Sequence, residues 1–248
     1  GFMVTMWLPL SWGVPVVYHP NPNDAQRIGE LVEAEKLTIM FATPTFLQGY
    51  TRKCTKEQFA PLRLIITGAE KLWQSVADRF EDRFGVTPIE GYGTTELSPV
   101  VSVNMPEDFH QIGKAIGRKG SIGKPIPGVS VRVMDIDTDT ILDEDEEGLL
   151  LVRGPNVMQG YLDEPEKTEA VLKERWYNTG DVARIDKEGY IYITGRLSRF
   201  SKIGGEMVPH IALEEEIHKA MGIDKQTLAV VSSVPDESRG ERLVVLHL

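Results

Sequence analysis

The stretch Gly91-Tyr92-Gly93-Thr94-Thr95-Glu96 combines residue types suited to a phosphorylated ligand. Its glycines let backbone N–H groups approach an anion, Thr94 and Thr95 add hydroxyl donors, and Glu96 offers a hard carboxylate for Mg2+ bridging phosphate oxygens. The same composition also serves an ordinary Gly/Thr turn carrying a surface glutamate. Three further features favour the ligand. Gly68-Ala69-Glu70 closes a neighbouring apolar run and can flank the same ligand. Asp181, the last residue of the stretch Tyr177-Asn178-Thr179-Gly180-Asp181, suits a pair of ribose hydroxyls. Gly195-Arg196 supplies an always-ionised guanidinium for a ribose or phosphate. Each is weak alone, because an Asp after Gly is commonly a turn residue and an Arg after Gly commonly lies on the surface.

These residues need elements to hold them. Residues 24 to 36 read as a helix with Asp24 as N-cap and Ile28, Leu31 and Val32 on one face. The run TIMFA follows as a short buried strand and ends before Pro44. LRLII (62–66) is a second strand, and it runs into Gly68-Ala69-Glu70. Leu72, Trp73, Val76, Ala77, Phe80 and Phe84 then recur at helical spacing, and VTPIE makes a third strand that ends at Gly91. Strand, loop, helix, strand, loop is a βαβ unit, which implies a parallel sheet with both glycine loops at its carboxyl edge. Open α/β sheets bind ligands at that edge.

After Ser98 the chain changes character. Short strands punctuated by Gly and Pro, a brief helix over 165–173, and a hairpin around Asp186-Lys187-Glu188-Gly189 predict an antiparallel barrel or meander. Beyond Gly204-Gly205 a helix with Leu213, Ile217, Ala220 and Met221 on one face precedes two apolar strands, TLAVVSSVP and RLVVLHL. The expected class is therefore α/β (α+β). Residues 1–105 form the parallel-sheet part, 106–197 a β-rich subdomain, and 198–248 the start of a small α+β domain. The missing initiator Met and the last strand, cut at Leu248, suggest a slice of a longer protein.

Composition excludes several classes. The 248 residues are 41% apolar and 26% charged, which is ordinary globular usage and argues against disorder or coiled coil. The 27 basic residues against 37 acidic ones give a net charge of −10, unfavourable for general nucleic-acid binding. Eight of the acids lie in Asp135–Gly148, between two β-rich runs, where a solvated hairpin turn fits better than a calcium loop. The single cysteine, Cys54, cannot form an internal disulfide and points to a reducing compartment. No apolar run is long enough for a membrane span. The five scattered histidines (His19, His110, His210, His218 and His247) lack zinc-site spacing. Trp7, Trp12, Trp73 and Trp176 suit packing rather than an acyl cage.

The ordered set of motifs resembles the adenylate-forming, AMP-binding ligases, which include acyl-CoA synthetases, peptide-synthetase adenylation domains and luciferases. YGTTE matches that family's Tyr-Gly-x-Thr-Glu motif and YNTGD its aromatic-x-Thr-Gly-Asp motif. GRLSRFSKIGGEMV is similar to the segment joining its two domains. The resemblance implies ATP/AMP and Mg2+ as cofactors. Gly68, Ala69 and Glu70 would border adenine, and Gly91, Tyr92, Gly93 and Thr94 would belong to the nucleotide site. Thr95 would contact the α-phosphate, Glu96 would ligate the metal, and Asp181 and Arg196 would hold the ribose. It further implies attack of a fatty-acid carboxylate on ATP, then capture of the acyl group by the thiol of acyl carrier protein or coenzyme A. YHPNPNDA, IMFATPTFL, GYGTTELSPVVSVN and KIGGEMVPH look most like the ligase part of bacterial acyl-[acyl-carrier-protein] synthetases. In that group the ligase is fused to a 2-acylglycerophosphoethanolamine acyltransferase, which implies a cytoplasmic parent at the inner face of the bacterial membrane. An amino-acid adenylation domain and a non-catalytic nucleotide-binding module are the alternatives.

There are departures from the family pattern. The family's Ser/Thr/Gly phosphate loop is expected upstream of Gly1 and its catalytic lysine downstream of Leu248, so the slice is expected to be inactive alone. Lys202 belongs to the joining segment. Ser198 stands at the hinge where the family usually has Asp or Lys, and Met207 stands where short-chain enzymes have an Arg.

Overall fold

The computed structural model describes residues 2–203, 206–221, 229–236 and 240–247. The chain falls into two units: residues 1–130 with 153–168, and residues 131–152 with 169–248.

In the first unit, α1 (Leu8–Trp12) ends at Gly13, whose φ of 66° is the left-handed geometry glycine tolerates. Helix α2 (Ala25–Ala34) is capped as its sequence predicts, the Asp24 carboxylate accepting from Arg27 N–H. Strand β1 (Ile39–Ala42) leads through the Thr43 cap into α3 (Pro44–Lys53), where proline sits in the first turn and loses nothing by lacking an N–H. A capping box at Thr55 and Gln58 opens α4 (Lys56–Phe59). Strand β2 (Leu64–Thr67), α5 (Gln74–Phe84) and β3 (Ile89–Tyr92) complete the expected βαβ unit. β1, β2 and β3 pair in parallel, Met40 opposite Ile65 and Ile66 opposite Ile89. Two short strands, β4 (Ser102–Val103) and β5 (Lys124–Pro125), then extend the sheet antiparallel, giving the order β1-β2-β3-β4-β5.

One face of this sheet carries the core: Leu47, Tyr50, Phe59, Ile65, Phe80 and Phe84 are all buried. Cys54 lies among them. Its thiol donates to the Ala25 carbonyl, and burial, only partly offset by Arg83, pushes its pKa up to about 11. Two expectations need correction. TIMFA does not form a buried strand, because β1 is the sheet edge and its alternate residues Ile39 and Phe41 are 51% and 41% exposed. The helix after β2 starts at Gln74, not Leu72, since Trp73 keeps an extended backbone (ψ 135°). Trp7, Trp12 and Trp73 are exposed.

In the second unit, β6 (Ser130–Met134), β7 (Gly148–Arg153), β9 (Trp176–Ile185) and β10 (Ile191–Arg196) form one sheet in the order β10-β9-β7-β6. The brief helix α6 (Pro165–Val171) runs into β8 (Leu172–Lys173), which pairs with β9. The barrel-like expectation gives way to an open sheet: β10 and β6 are its edges, and among the described residues no closed barrel is formed. The acidic run is the solvated turn expected, with residues 137–141 and 143–147 exposed. Asp186 turns the β9–β10 hairpin, accepting from Glu188 N–H and Tyr190 N–H.

A second sheet of this unit has the order β12-β11-β14-β13, from β11 (Phe200–Ile203), β12 (Glu206–Pro209), β13 (Ala229–Asp236) and β14 (Gly240–His247). Helix α7 (His210–Ala220) packs on β13. Ala220 and Met221 are exposed, which corrects the predicted apolar face. The inward face instead carries His210, Glu214 and His218. The reason is the open edge of β13. Among the described residues its Ala229 and Val231 N–H groups have no strand partner on that side, and they donate to His218 Nε2 (3.0 Å) and Glu214 Oε1 (2.7 Å). Glu214 also pairs with Arg199, and His210 Nε2 with the Ser201 hydroxyl. Gly204-Gly205, Thr227, Leu228 and the side chains of Lys202 and Met207 lie outside what the structure describes. Among the described residues no helix is long and apolar enough to cross a membrane.

Burial first, then the Arg199 guanidinium, hold the His210 pKa below its ordinary value, against a weaker pull from Glu214 and Glu241. The unfolded chain therefore takes up a proton that the folded one resists. The stability of this unit is expected to be intact above about pH 6.5 and to fall as the pH drops below it. Denaturant melts from pH 7.5 to 5.5 check this, and His210→Gln should flatten the slope.

Candidate nucleotide site

Both glycine loops lie where the parallel strands place them, at the carboxyl ends of β2 and β3. They lie against each other: a Cβ added to Gly68 would stand 3.0 Å from the Gly91 carbonyl oxygen. Ala69 takes a left-handed backbone (φ 69°), uncommon for a residue with a Cβ. Glu70 is engaged at the start of α3, its Oε2 accepting from Thr45 N (3.3 Å) and Thr45 Oγ1 (2.6 Å). Glu90, just before Gly91, accepts from Leu72 N–H at 3.1 Å, and burial raises its pKa above the usual carboxylate range. Two carboxylates thus fix the 68–72 loop.

The second loop leaves β3 at Tyr92 and makes a 3-10 turn over Thr95–Leu97, anchored by the fully buried Leu97. Gly93 permits the tightest approach. A Cβ there would fall 1.6 Å from the Pro99 carbonyl oxygen. Thr95 is exposed, whereas the Thr94 hydroxyl is buried with no hydrogen-bond partner among the described residues. A buried polar atom left unpaired costs about 1–3 kcal/mol, so this hydroxyl suits a ligand acceptor. Glu96 Oε1 accepts from the Tyr161 hydroxyl at 2.8 Å.

Asp181 and Arg196 belong to the second unit and pair there. A register shift between Ile193 and Gly195 brings Arg196 opposite Asp181 across β9 and β10, with Arg196 Nε 3.6 Å from Asp181 Oδ1. The Arg196 side chain is 61% exposed and that of Asp181 13%. Thr179 steadies this part of β9, its hydroxyl accepting from Asp181 N–H and donating to the Leu150 carbonyl. A carboxylate in mid-β9 and a guanidinium at the end of β10, side by side, suit a vicinal diol.

The sequence reading missed Thr45, Asn156 and Tyr161. Each acts through a contact 25 to 65 positions away in the chain. The nearest local signal is the pair Gly154-Pro155 and Gly160, which mark turns without saying what they touch. Among the described residues no group of three His, Cys, Asp or Glu side chains could hold a metal. A divalent cation here would rest on Glu96 and on phosphate oxygens, which is how Mg2+ is commonly bound.

The sequence profile of the family described as AMP-binding enzyme matches residues 1–162. This chain belongs to that family. It is 29% identical over 243 residues to the long-chain-fatty-acid–CoA ligase of Bacillus subtilis (strain 168), covering 97% of this chain and 41% of that protein. The feruloyl-CoA synthase of Amycolatopsis sp. is 32% identical over 231 residues, covering 92% and 45%. Among solved structures, ATP-bound MatB from Rhodopseudomonas palustris superposes with a TM-score of 0.84 at 28% identity, covering 99% of this chain and 46% of that one. The chain thus spans less than half the length of these relatives. The mixed α/β fold expected from sequence is the one shared with adenylate-forming ligases.

Proposed function

We propose that this chain is part of an ATP-dependent, AMP-forming ligase that activates a carboxylic acid, a fatty acid in the first reading, and passes it to a thiol of coenzyme A or acyl carrier protein. The observation that carries the reading is the Gly91–Glu96 loop, set at the carboxyl edge of a parallel sheet, with the Thr94 hydroxyl buried and without a hydrogen-bond partner among the described residues. In the proposed reaction a carboxylate oxygen attacks the α-phosphorus of ATP. The bond to the β-phosphate oxygen breaks and pyrophosphate leaves. A thiolate then attacks the acyl carbon, and AMP departs with the former carboxylate oxygen.

Thr94 and Thr95 donate to phosphate oxygens, the 68–70 loop borders the base, and Asp181 with Arg196 holds the ribose. Bound Mg2+ would neutralise phosphate charge beside Glu96. Chemistry of this kind depends mostly on positioning and charge stabilisation, so it requires no nucleophile–base pair.

The relatives named for long-chain fatty acids support an apolar acid, and those named for feruloyl-CoA and hydroxybenzoate–CoA support an aryl acid as the second reading. The motifs YHPNPNDA and KIGGEMVPH favour the acyl-[acyl-carrier-protein] synthetase branch, whose parent would work at the inner face of the membrane. A panel of fatty, aryl and amino acids, each assayed for pyrophosphate release with coenzyme A and with acyl carrier protein, separates these readings. The longest polypeptide carrying this chain is the sample to use. Release with amino acids alone would contradict the proposal.

Asp181→Asn keeps the shape and removes the charge. Loss of a charged hydrogen bond costs about 1.5–3 kcal/mol, so ATP affinity is expected to fall roughly ten- to a hundredfold with little change in melting temperature. Calorimetry with 2′,3′-dideoxy-ATP is the control: wild type and variant should bind it equally.

A further inference from the structure

The loop that carries Glu96 is fastened by a segment distant in sequence. Met158 N–H donates to the Glu96 carbonyl at 2.8 Å, and Asn156 Nδ2 donates to the carbonyls of Leu97 (2.9 Å) and Val100 (3.0 Å). These three bonds hold the backbone of the loop. A fourth reaches the side chain itself, from the Tyr161 hydroxyl to Glu96 Oε1 at 2.8 Å. Tyr161 is in turn held from behind, its N–H donating to Thr168 Oγ1 at 2.9 Å, while Thr168 Oγ1 donates to the Glu164 carbonyl. Gly160 makes that approach possible. A Cβ there would stand 2.8 Å from Thr168 Cγ2, and its φ of 156° is at the limit of the region that favours glycine.

We propose that Tyr161 is a positioning residue for Glu96, setting the orientation in which its carboxylate meets a nucleotide-bound divalent cation. The inference rests on the proposed role of Glu96. A carboxylate on a surface turn would otherwise spread over several rotamers, and freezing it at the moment of binding costs affinity. With its backbone fixed by Asn156 and Met158, the remaining freedom of Glu96 lies in the side chain, and the Tyr161 hydroxyl removes part of it. Partners that orient a metal-binding carboxylate typically change metal affinity about 10- to 100-fold when lost.

The test measures ATP affinity of the 248-residue chain by calorimetry, with Mn2+ and with excess chelator. The ratio of the two affinities is the metal-dependent gain. Wild type is expected to show a gain and Glu96→Gln to lose it. Tyr161→Phe, which removes one oxygen, should cut the gain about tenfold. It should leave the chelator value and hydrogen exchange over residues 94–100 unchanged. A full gain in Tyr161→Phe overturns the inference while the reading of Glu96 survives. Equal weakening with and without metal, or faster exchange over 94–100, also overturns it, because Tyr161 would then only pack the loop. No gain in wild type overturns the reading of Glu96 and the inference with it.

Discussion

Gly93→Ala is expected to remove nucleotide binding almost completely. The new Cβ would fall 1.6 Å from the Pro99 carbonyl oxygen and 3.0 Å from Val100 Cα, both backbone atoms that cannot rotate away. Relief requires the loop to move outward by more than an ångström. Asn156 opposes that movement through its bonds to Leu97 and Val100. Overpacking of this kind costs about 1–3 kcal/mol and occasionally more. If the strain is instead released by shifting the loop, Thr94, Thr95 and Glu96 lose their alignment together. ATP affinity should then fall by more than about a hundredfold, equivalent to roughly 3 kcal/mol. Calorimetric titration beside a thermal melt separates the two costs. Unchanged affinity in a folded Gly93→Ala chain would show that this loop does not form the nucleotide site.

Phe59→Ala is the second large effect, and it concerns stability. Phe59 is fully buried at the end of α4. Its ring centroid lies 4.6 Å from Phe84, 6.0 Å from Phe80 and 6.1 Å from Tyr50. The side chain joins α3, α4 and α5 on one face of the parallel sheet. Truncation removes the transfer free energy of a large ring and leaves a cavity walled by aromatic groups with few rotamers available to fill it. The expected loss is about 3–5 kcal/mol, among the largest single-site costs in a core. Urea unfolding followed by tryptophan fluorescence should show a lower midpoint for the first unit, with the His210-dependent pH response of the second unit unaltered. A loss below about 1 kcal/mol would mean that the aromatic cluster is not the core of this unit.

The parallel βαβ unit was legible because local chemistry specifies it. Apolar runs of strand length, an Asp24 cap, the 3.6-residue rhythm of Val76, Phe80 and Phe84, and a glycine after each strand need no long-range information. The β9–β10 hairpin was legible for the same reason. What failed depended on neighbours distant in sequence. TIMFA reads as buried from its composition, yet an edge strand has one uncovered flank, and which strand takes the edge is decided by the pairing of the whole sheet. The end of the α7 face was misread because hydrophobic rhythm ranks Ala220 and Met221 above His210, Glu214 and His218. The open N–H groups of β13 make polar side chains the better partners there. In the site, glycines, threonines and acids announced themselves by type. Thr45, Asn156 and Tyr161 did not, because a hydrogen bond across 25 to 65 residues leaves no local pattern.

In the proposed reaction the carboxylate oxygen of an acid becomes bonded to the α-phosphorus of ATP. Isotope transfer measures this directly. A fatty acid carrying heavy oxygen in its carboxylate is turned over with ATP and the thiol acceptor, and the phosphorus products are read by mass spectrometry. Heavy oxygen is expected in AMP, with none in pyrophosphate. Heavy oxygen in inorganic phosphate with formation of ADP would contradict it.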